Sequence, residues 1–173
     1  MTKTIERPDR TEAVDYYFTY IDQVPTGDIA AILDVQARDV VAELRAISDD
    51  ASLGRYAQDK WSIREVVSHM NDAERVFTFR AFWFARGFDS PLPSFDQDIA
   101  VRGANADQCA WHTHVDEFDS IRAATLALFS SLPDEAWSRR GIASGNPFSV
   151  RALAFVTAGH VAHHMRILRE RYL

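Results

Sequence analysis

Residues 149–173 read S-V-R-A-L-A-F-V-T-A-G-H-V-A-H-H-M-R-I-L-R-E-R-Y-L. At 3.6 residues per turn, Leu153, Val156, His160, His164 and Ile167 fall in one stripe, so the segment predicts an amphipathic helix with two imidazoles inside its apolar face. A buried neutral imidazole needs both a donor and an acceptor. Two of them one turn apart on an oily face need partners for every ring nitrogen, unless one bound group satisfies both. A divalent metal ion does so, because ring nitrogens at i and i+4 converge on a single ion at about 2.0–2.1 Å each. Two ligands do not hold an ion tightly, so at least one more is expected from elsewhere in the chain.

The 173 residues suit one domain with a sizeable core and no staple. The single cysteine, Cys109, excludes an intramolecular disulfide framework and fits a reducing compartment. The start, M-T-K-T-I-E-R-P-D-R, lacks the apolar core of a signal peptide, and no run approaches 18 apolar residues. A soluble, cytoplasmic protein with no membrane partner is expected. With 19 Lys and Arg against 25 Asp and Glu, the net charge is −6 and the basic residues form no stripe. Nucleic acid is therefore not an expected partner, since its affinity comes from clustered cations on phosphates.

Residues 1–10 are polar and expected to be flexible; a single helical domain is expected over 11–173. From Thr11, the spacing of Val14, Tyr17, Phe18 and Ile21 predicts a short helix closed by Pro25-Thr26-Gly27. Asp28 caps a first long helix, in which Ile29, Ile32, Leu33, Val40, Val41, Leu44 and Ile47 carry the period to about Ser48. The second long helix opens at W-S-I-R-E, where Ser62 and Glu65 form a capping box, and runs to about Arg86, stopped by Gly87. Val66, His69, Ala73, Val76 and Phe77 share one face of it, which puts a third histidine at core depth. Trp61, Phe77, Phe79, Phe82, Trp83 and Phe84 surround that face with rings whose ordinary use is core packing and whose sharper use is a pocket wall.

Residues 87–106 show no period and read as a long loop of the kind that closes over a site. A third long helix is expected from about Asp107 to Leu132, a brief turn or short helix at Pro133–Trp137, and a loop over Gly141–Pro147 leading to the final helix. No segment reads as a strand. The expected fold is all-α: a four-helix bundle with an additional short N-terminal helix and a long crossover loop.

If the second and fourth long helices are neighbours, His69, His160 and His164 form a triad of inward side chains. Three neutral imidazoles with open positions describe a catalytic ion rather than a structural one, which takes four protein ligands. His163 points to the flank and reads as lying behind the site or at the surface. His112 and His114 lie on opposite sides of their helix and read as solvent-facing or interfacial. Cys109 has no neighbouring motif that would activate a thiol. Asp72 and Glu74 read as a solvated face or as inter-helix ion pairs.

Three stretches taken together, W-S-I-R-E-V-V-S-H-M-N-D-A-E-R-V-F, G-F-D-S-P-L-P-S-F-D-Q-D and G-H-V-A-H-H-M-R-I-L-R-E-R-Y, resemble the DinB-like (DinB/YfiT) superfamily of metalloenzymes over nearly the whole chain from about Asp15. The resemblance implies a four-helix bundle that binds a divalent metal, zinc or nickel, through His69, His160 and His164. It further implies chemistry of the kind seen in thiol transferases using bacillithiol or mycothiol, in a mycothiol-dependent maleylpyruvate isomerase and in related hydrolases. A low-molecular-weight thiol is thus an implied co-substrate. One departure stands out: many relatives carry Arg-Gly-Gln after the last ligand, where this chain has Met165-Arg166-Ile167.

The expectation is a metal-dependent enzyme that activates a thiol or water for attack on a small electrophilic substrate. The alternatives are a metal- or ligand-binding bundle without turnover, and a structural or interaction protein. Phe77, Trp83 and the loop bearing Phe95, Asp96 and Asp98 are the expected pocket. A homodimer is expected from the number of aromatics, and metal occupancy is expected to fall as pH drops through about 6.5.

Overall fold

The computed structural model describes residues 4–173. Ile5 is buried, and Arg7 donates to the carbonyls of Ile21 (2.6 Å) and Val24. The described part of the segment expected to be flexible is therefore anchored to the core; residues 1–3 lie outside the described residues. A 3-10 turn at Arg10–Glu12, closed by a capping box between Asp9 and Glu12, leads into α1 (Asp15–Ile21), which buries Phe18 and Ile21.

Helix α2 (Ile29–Arg45) starts where Asp28 accepts from the Ala31 amide at 3.2 Å. Its buried residues Ile29, Leu33, Ala37, Val40, Val41 and Leu44 repeat at three- and four-residue spacing. Each large aliphatic side chain fully withdrawn from water there contributes about 1.5–3 kcal/mol. Helix α3 (Ile63–Ala85) opens on the expected box: the Glu65 amide donates to Ser62 Oγ at 3.0 Å, and the Ser62 amide to Glu65 Oε2 at 2.8 Å. It ends at Gly87, whose φ of 84° suits a residue without a β-carbon.

The stretch read as a structureless loop contains α4 (Gln97–Ala104), started by Asp96, whose Oδ1 accepts from the amides of Asp98 and Ile99. Only Val101 of this short helix is buried, so no apolar period registers in its sequence. A 3-10 turn at Ala106–Gln108 then delays α5 (Trp111–Ser130), which begins at Trp111 rather than Asp107. A further 3-10 helix spans Asp134–Ser138.

The expectation of no strand is corrected by β1 (Arg140–Ala143) and β2 (Asn146–Ser149), an antiparallel hairpin. Its two-residue turn, Ser144-Gly145, has positive φ at both positions (53° and 73°), as type I′ hairpin turns require. The Leu92 amide donates to the Ile142 carbonyl and the Ser144 amide to the Leu92 carbonyl, at 2.9 and 3.1 Å. The hairpin owes its order to these contacts and to Phe84, against which Gly141 packs so closely that no β-carbon would fit. Four-residue strands with glycine and proline carry no local signal for this.

Helix α6 (Val150–Arg171) is capped by Ser149 Oγ, which accepts from the Ala152 amide at 2.9 Å and donates to the buried Glu12 carboxylate at 2.7 Å. It packs between α3 and α1 and also touches α2, while α5 lies against α2 and α3, which closes a four-helix bundle of α2, α3, α5 and α6. No helix among the described residues is long and apolar enough to cross a membrane. One apolar cluster joins α1, the second half of α3, the hairpin and the first half of α6; another joins the ends of α2 and α6 with the starts of α3 and α5. His69 and His160 sit between the two.

Elsewhere, Arg122 of α5 donates from Nε and Nη2 to the two oxygens of Glu74 of α3, both at 2.8 Å, and Thr125 Oγ1 adds a bond of 2.7 Å. Arg122 also reaches Gln36 Oε1 at 2.9 Å. Removing one partner of such a buried pair costs about 3–5 kcal/mol, because the other charge is left stranded. Glu74 is thus one of the inter-helix ion pairs the sequence suggested, and Asp72 pairs with Arg75.

Candidate metal centre

Helix α3 presents His69 and helix α6 presents His160 and His164 to one point. His160 Nε2 lies 3.1 Å from His69 Nε2 and 3.1 Å from His164 Nε2. All three ligand nitrogens lie within 4.8 Å of one another. Two nitrogens that each sit about 2.0–2.1 Å from one ion are separated by about 3–3.5 Å, so the two 3.1 Å sides are of the size one ion spans. Protons alone do not account for it, because each neutral imidazole has a single N–H to offer and three Nε2 atoms face one another. The donor set therefore fits a divalent cation. The outer side of the triad is less complete: His69 Nδ1 is buried without a hydrogen-bond partner among the described residues, whichever nitrogen holds the proton.

Burial sets the charge state. It pushes His69 down to about 4, opposed by the Asp98 carboxylate, and His164 down to about 3, with the neighbouring His69 and His163 rings adding to the effect. His160 is lowered well below the ordinary range for the same reason, then by His164, His69 and His163. All three rings are neutral at neutral pH, with lone pairs free to bind an ion. Aromatic neighbours keep the place dry: Trp61 lies 5.1 Å from the His69 ring, Phe77 5.5 Å and Tyr20 5.3 Å from that of His160.

His69 and His160 form part of the wall of a cavity of about 180 Å³, completed by Tyr16, Tyr17, Tyr20, Phe77, Arg80 and Phe95, with Ala73, Val76, Gln97 and Ser144. Three tyrosines come from α1, which docks on α6 just where the triad begins. Burial, reinforced by the Tyr16 hydroxyl 3.0 Å away, holds the Tyr20 phenol protonated well above its ordinary range. A larger hollow of about 510 Å³ between α3 and α5, lined by Phe79, Phe82 and Leu128 among others, contains no histidine.

Of the expected pocket residues, Phe77 and Phe95 line the cavity and Asp98 acts on His69. Asp96 is occupied as the cap of α4. Trp83 is elsewhere: its ring stacks on Phe88 at 4.1 Å and its indole N–H donates to the Ser90 carbonyl at 3.2 Å. His163 is half-buried and edge-on to Tyr20 and His164, on the flank. His112 is exposed, but His114 is not solvent-facing; it is buried with Nε2 2.9 Å from the Ala106 carbonyl, because the turn before α5 folds back over it. Cys109 is exposed and outside the cavity lining.

Tyr17, Tyr20 and Arg80 were missed. Arg80 had a signal: continuing the His69, Ala73, Val76 stripe by four residues reaches it, a cation on a buried face.

A sequence-family model described as the DinB superfamily matches residues 32–168. The chain belongs to the DinB superfamily. Within the fold shared by DinB proteins, it is similar to YfiT from Bacillus subtilis, described as a probable metal-dependent hydrolase with an unusual four-helix bundle topology. The TM-score is 0.65 at 15% identity, covering 94% of this chain and 91% of that one. It is also similar to a mycothiol-dependent maleylpyruvate isomerase, with a TM-score of 0.65 at 13% identity, over 79% of this chain and 58% of that one. At these identities the likeness is one of fold. No curated protein sequence matches this chain.

Proposed function

We propose that this DinB-superfamily chain is a metal-dependent enzyme of the thiol transferase or hydrolase type, acting on a small electrophilic substrate with a low-molecular-weight thiol or water as the attacking group. His69, His160 and His164 would hold a divalent ion, zinc or nickel. The observation that carries the reading is the convergence of three neutral Nε2 atoms, 3.1 Å along two sides, with two of the three rings, His69 and His160, at the wall of a cavity. A divalent ion held only by neutral donors keeps its full charge and supplies Lewis acidity that eases ionisation of a bound thiol or water.

The chain's own residues do the remainder. Trp61, Phe77 and Tyr20 exclude bulk water around the imidazoles. The Tyr16 and Tyr20 hydroxyls pair at 3.0 Å at the cavity, and the member that accepts within the pair can donate to an oxygen of the substrate. No activated side-chain nucleophile is required, which agrees with an exposed Cys109 outside the lining. The similar folds of YfiT, described as a probable metal-dependent hydrolase, and of a mycothiol-dependent isomerase support metal- and thiol-dependent chemistry as the reading for this scaffold.

The test is elemental analysis of untagged protein, followed by conjugation and hydrolysis assays with a panel of thiols and electrophiles. Stoichiometric metal with turnover is expected. Metal without turnover on any pair leaves a binding protein, and protein that folds and takes up no metal ends the proposal.

A further inference from the structure

Arg80 is 3% exposed, yet among the described residues no carboxylate forms an ion pair with it. A buried guanidinium without a counter-charge is unfavourable, since burial removes hydration that only an anion replaces fully. Its Nη2 protons are taken by neutral acceptors, the Ser144 hydroxyl at 2.8 Å and the Pro93 carbonyl at 3.1 Å. The neutral Tyr17 hydroxyl shares a further hydrogen bond with the guanidinium, and among the described residues no carboxylate meets the N–H groups on Nε and Nη1. Tyr17 supplies no charge, because burial raises its phenol above the ordinary range despite the cation. Arg80, Tyr17 and Ser144 all line the cavity that His69 and His160 wall.

We propose that Arg80 is a specificity-determining residue and that this cavity receives a small molecule carrying a carboxylate, which completes the charge of the buried guanidinium. The inference rests on the proposed function only in taking the cavity as the substrate site. A planar carboxylate matches the fork of guanidinium N–H groups better than a bulky tetrahedral anion does in a space of about 180 Å³. Tyr17, Tyr20, Phe77 and Phe95 surround the rest of the ligand with ring faces and edges, so an unsaturated or aryl carboxylate suits the cavity. The triad and Arg80 then divide the work: the histidines serve the attacking group and Arg80 orients the electrophile by its carboxylate.

The test uses benzoate and its uncharged analogue benzamide as probes, with full-length protein stripped of metal by chelation and, in parallel, loaded with zinc. Binding is read by calorimetry or by NMR shifts, without reference to activity. Wild-type protein should bind benzoate more tightly than benzamide in both forms. Arg80→Met should weaken benzoate on the order of tenfold to a hundredfold, the worth of a charge-assisted bond, and leave benzamide unchanged. Arg80→Lys should recover part of the loss. No preference for benzoate in the wild type overturns the proposal, and this arm decides the matter even if Arg80→Met does not fold. A preference found only in the zinc-loaded form and unaffected by Arg80→Met overturns it too, by making the ion the anion receptor. Failure of metal uptake, by contrast, sinks the metal reading and leaves the metal-free comparison standing.

Discussion

The backbone carbonyl of Tyr20 occupies the space that a side chain at Gly159 would need: a β-carbon built there would come within 2.2 Å of the oxygen. Position 159 immediately precedes the metal-facing His160, so this contact seats α1, with its wall of tyrosines, directly on the triad. Gly159→Ala should force α1 away and destabilise the fold by about 1–3 kcal/mol, the usual cost of overpacking. The variant should also loosen the Tyr20–His160 ring contact. Thermal unfolding together with the intrinsic tyrosine signal checks this; an unchanged melting temperature would mean α1 is not held there.

His69→Ala, His160→Ala and His164→Ala should each lower metal affinity by more than the ~10–100-fold that outer-shell changes cost. His112→Ala, at an exposed position, should not. Metal titration by a competing chelator measures both sets. Equal affinities in the His160 and His112 variants would remove the triad.

The pH dependence of the metal-free protein follows from the lowered imidazoles. In the unfolded chain each histidine takes up a proton near 6.5, whereas the folded chain resists until about 4 at His69 and about 3 at His164. The unfolded state therefore binds more protons throughout that interval, and stability falls as pH drops from about 6.5 towards 4, with little change above 7. This corrects the expectation that proton competition for the site is centred near 6.5: burial moves it lower. Denaturant unfolding of chelator-treated protein between pH 4 and 8 gives the slope. A His164→Ala variant with the same slope as wild type would contradict the assignment.

Cys109→Ser should leave stability within about 0.5 kcal/mol and any metal-dependent turnover nearly intact, as expected of an exposed residue outside the cavity. His164→Ala should abolish turnover. Loss of activity in Cys109→Ser with metal still bound would point to a protein thiol as the nucleophile.

A homodimer remains the proposed assembly. Phe79 is 50% exposed and lines the groove between α3 and α5 with Phe82, Ile121 and Leu128. Sedimentation at micromolar concentration should give twice the 19.6 kDa chain mass, and Phe79→Glu should shift it towards the monomer. A wild-type protein sedimenting only at 19.6 kDa would exclude the dimer.

What the sequence determined was everything set by neighbours within a turn or two. Asp28, the Ser62–Glu65 box and Gly87 mark helix ends because capping is a bond between adjacent residues, and the i, i+4 spacing of His160 and His164 puts both on one face whatever surrounds them. His69 followed from the same periodicity on α3. The tertiary structure decided what depends on distant chain. The β1–β2 hairpin exists because Leu92 and Phe84 hold it, His114 is buried because Ala106 folds over it, and Trp83 leaves the expected pocket to stack on Phe88. The cavity itself is made by α1 and α3 meeting at α6, where Gly159 lets Tyr20 approach and Arg80 has no acidic partner among the described residues. Such contacts turn on how non-local surfaces fit, and no local pattern of apolar and polar residues encodes that fit.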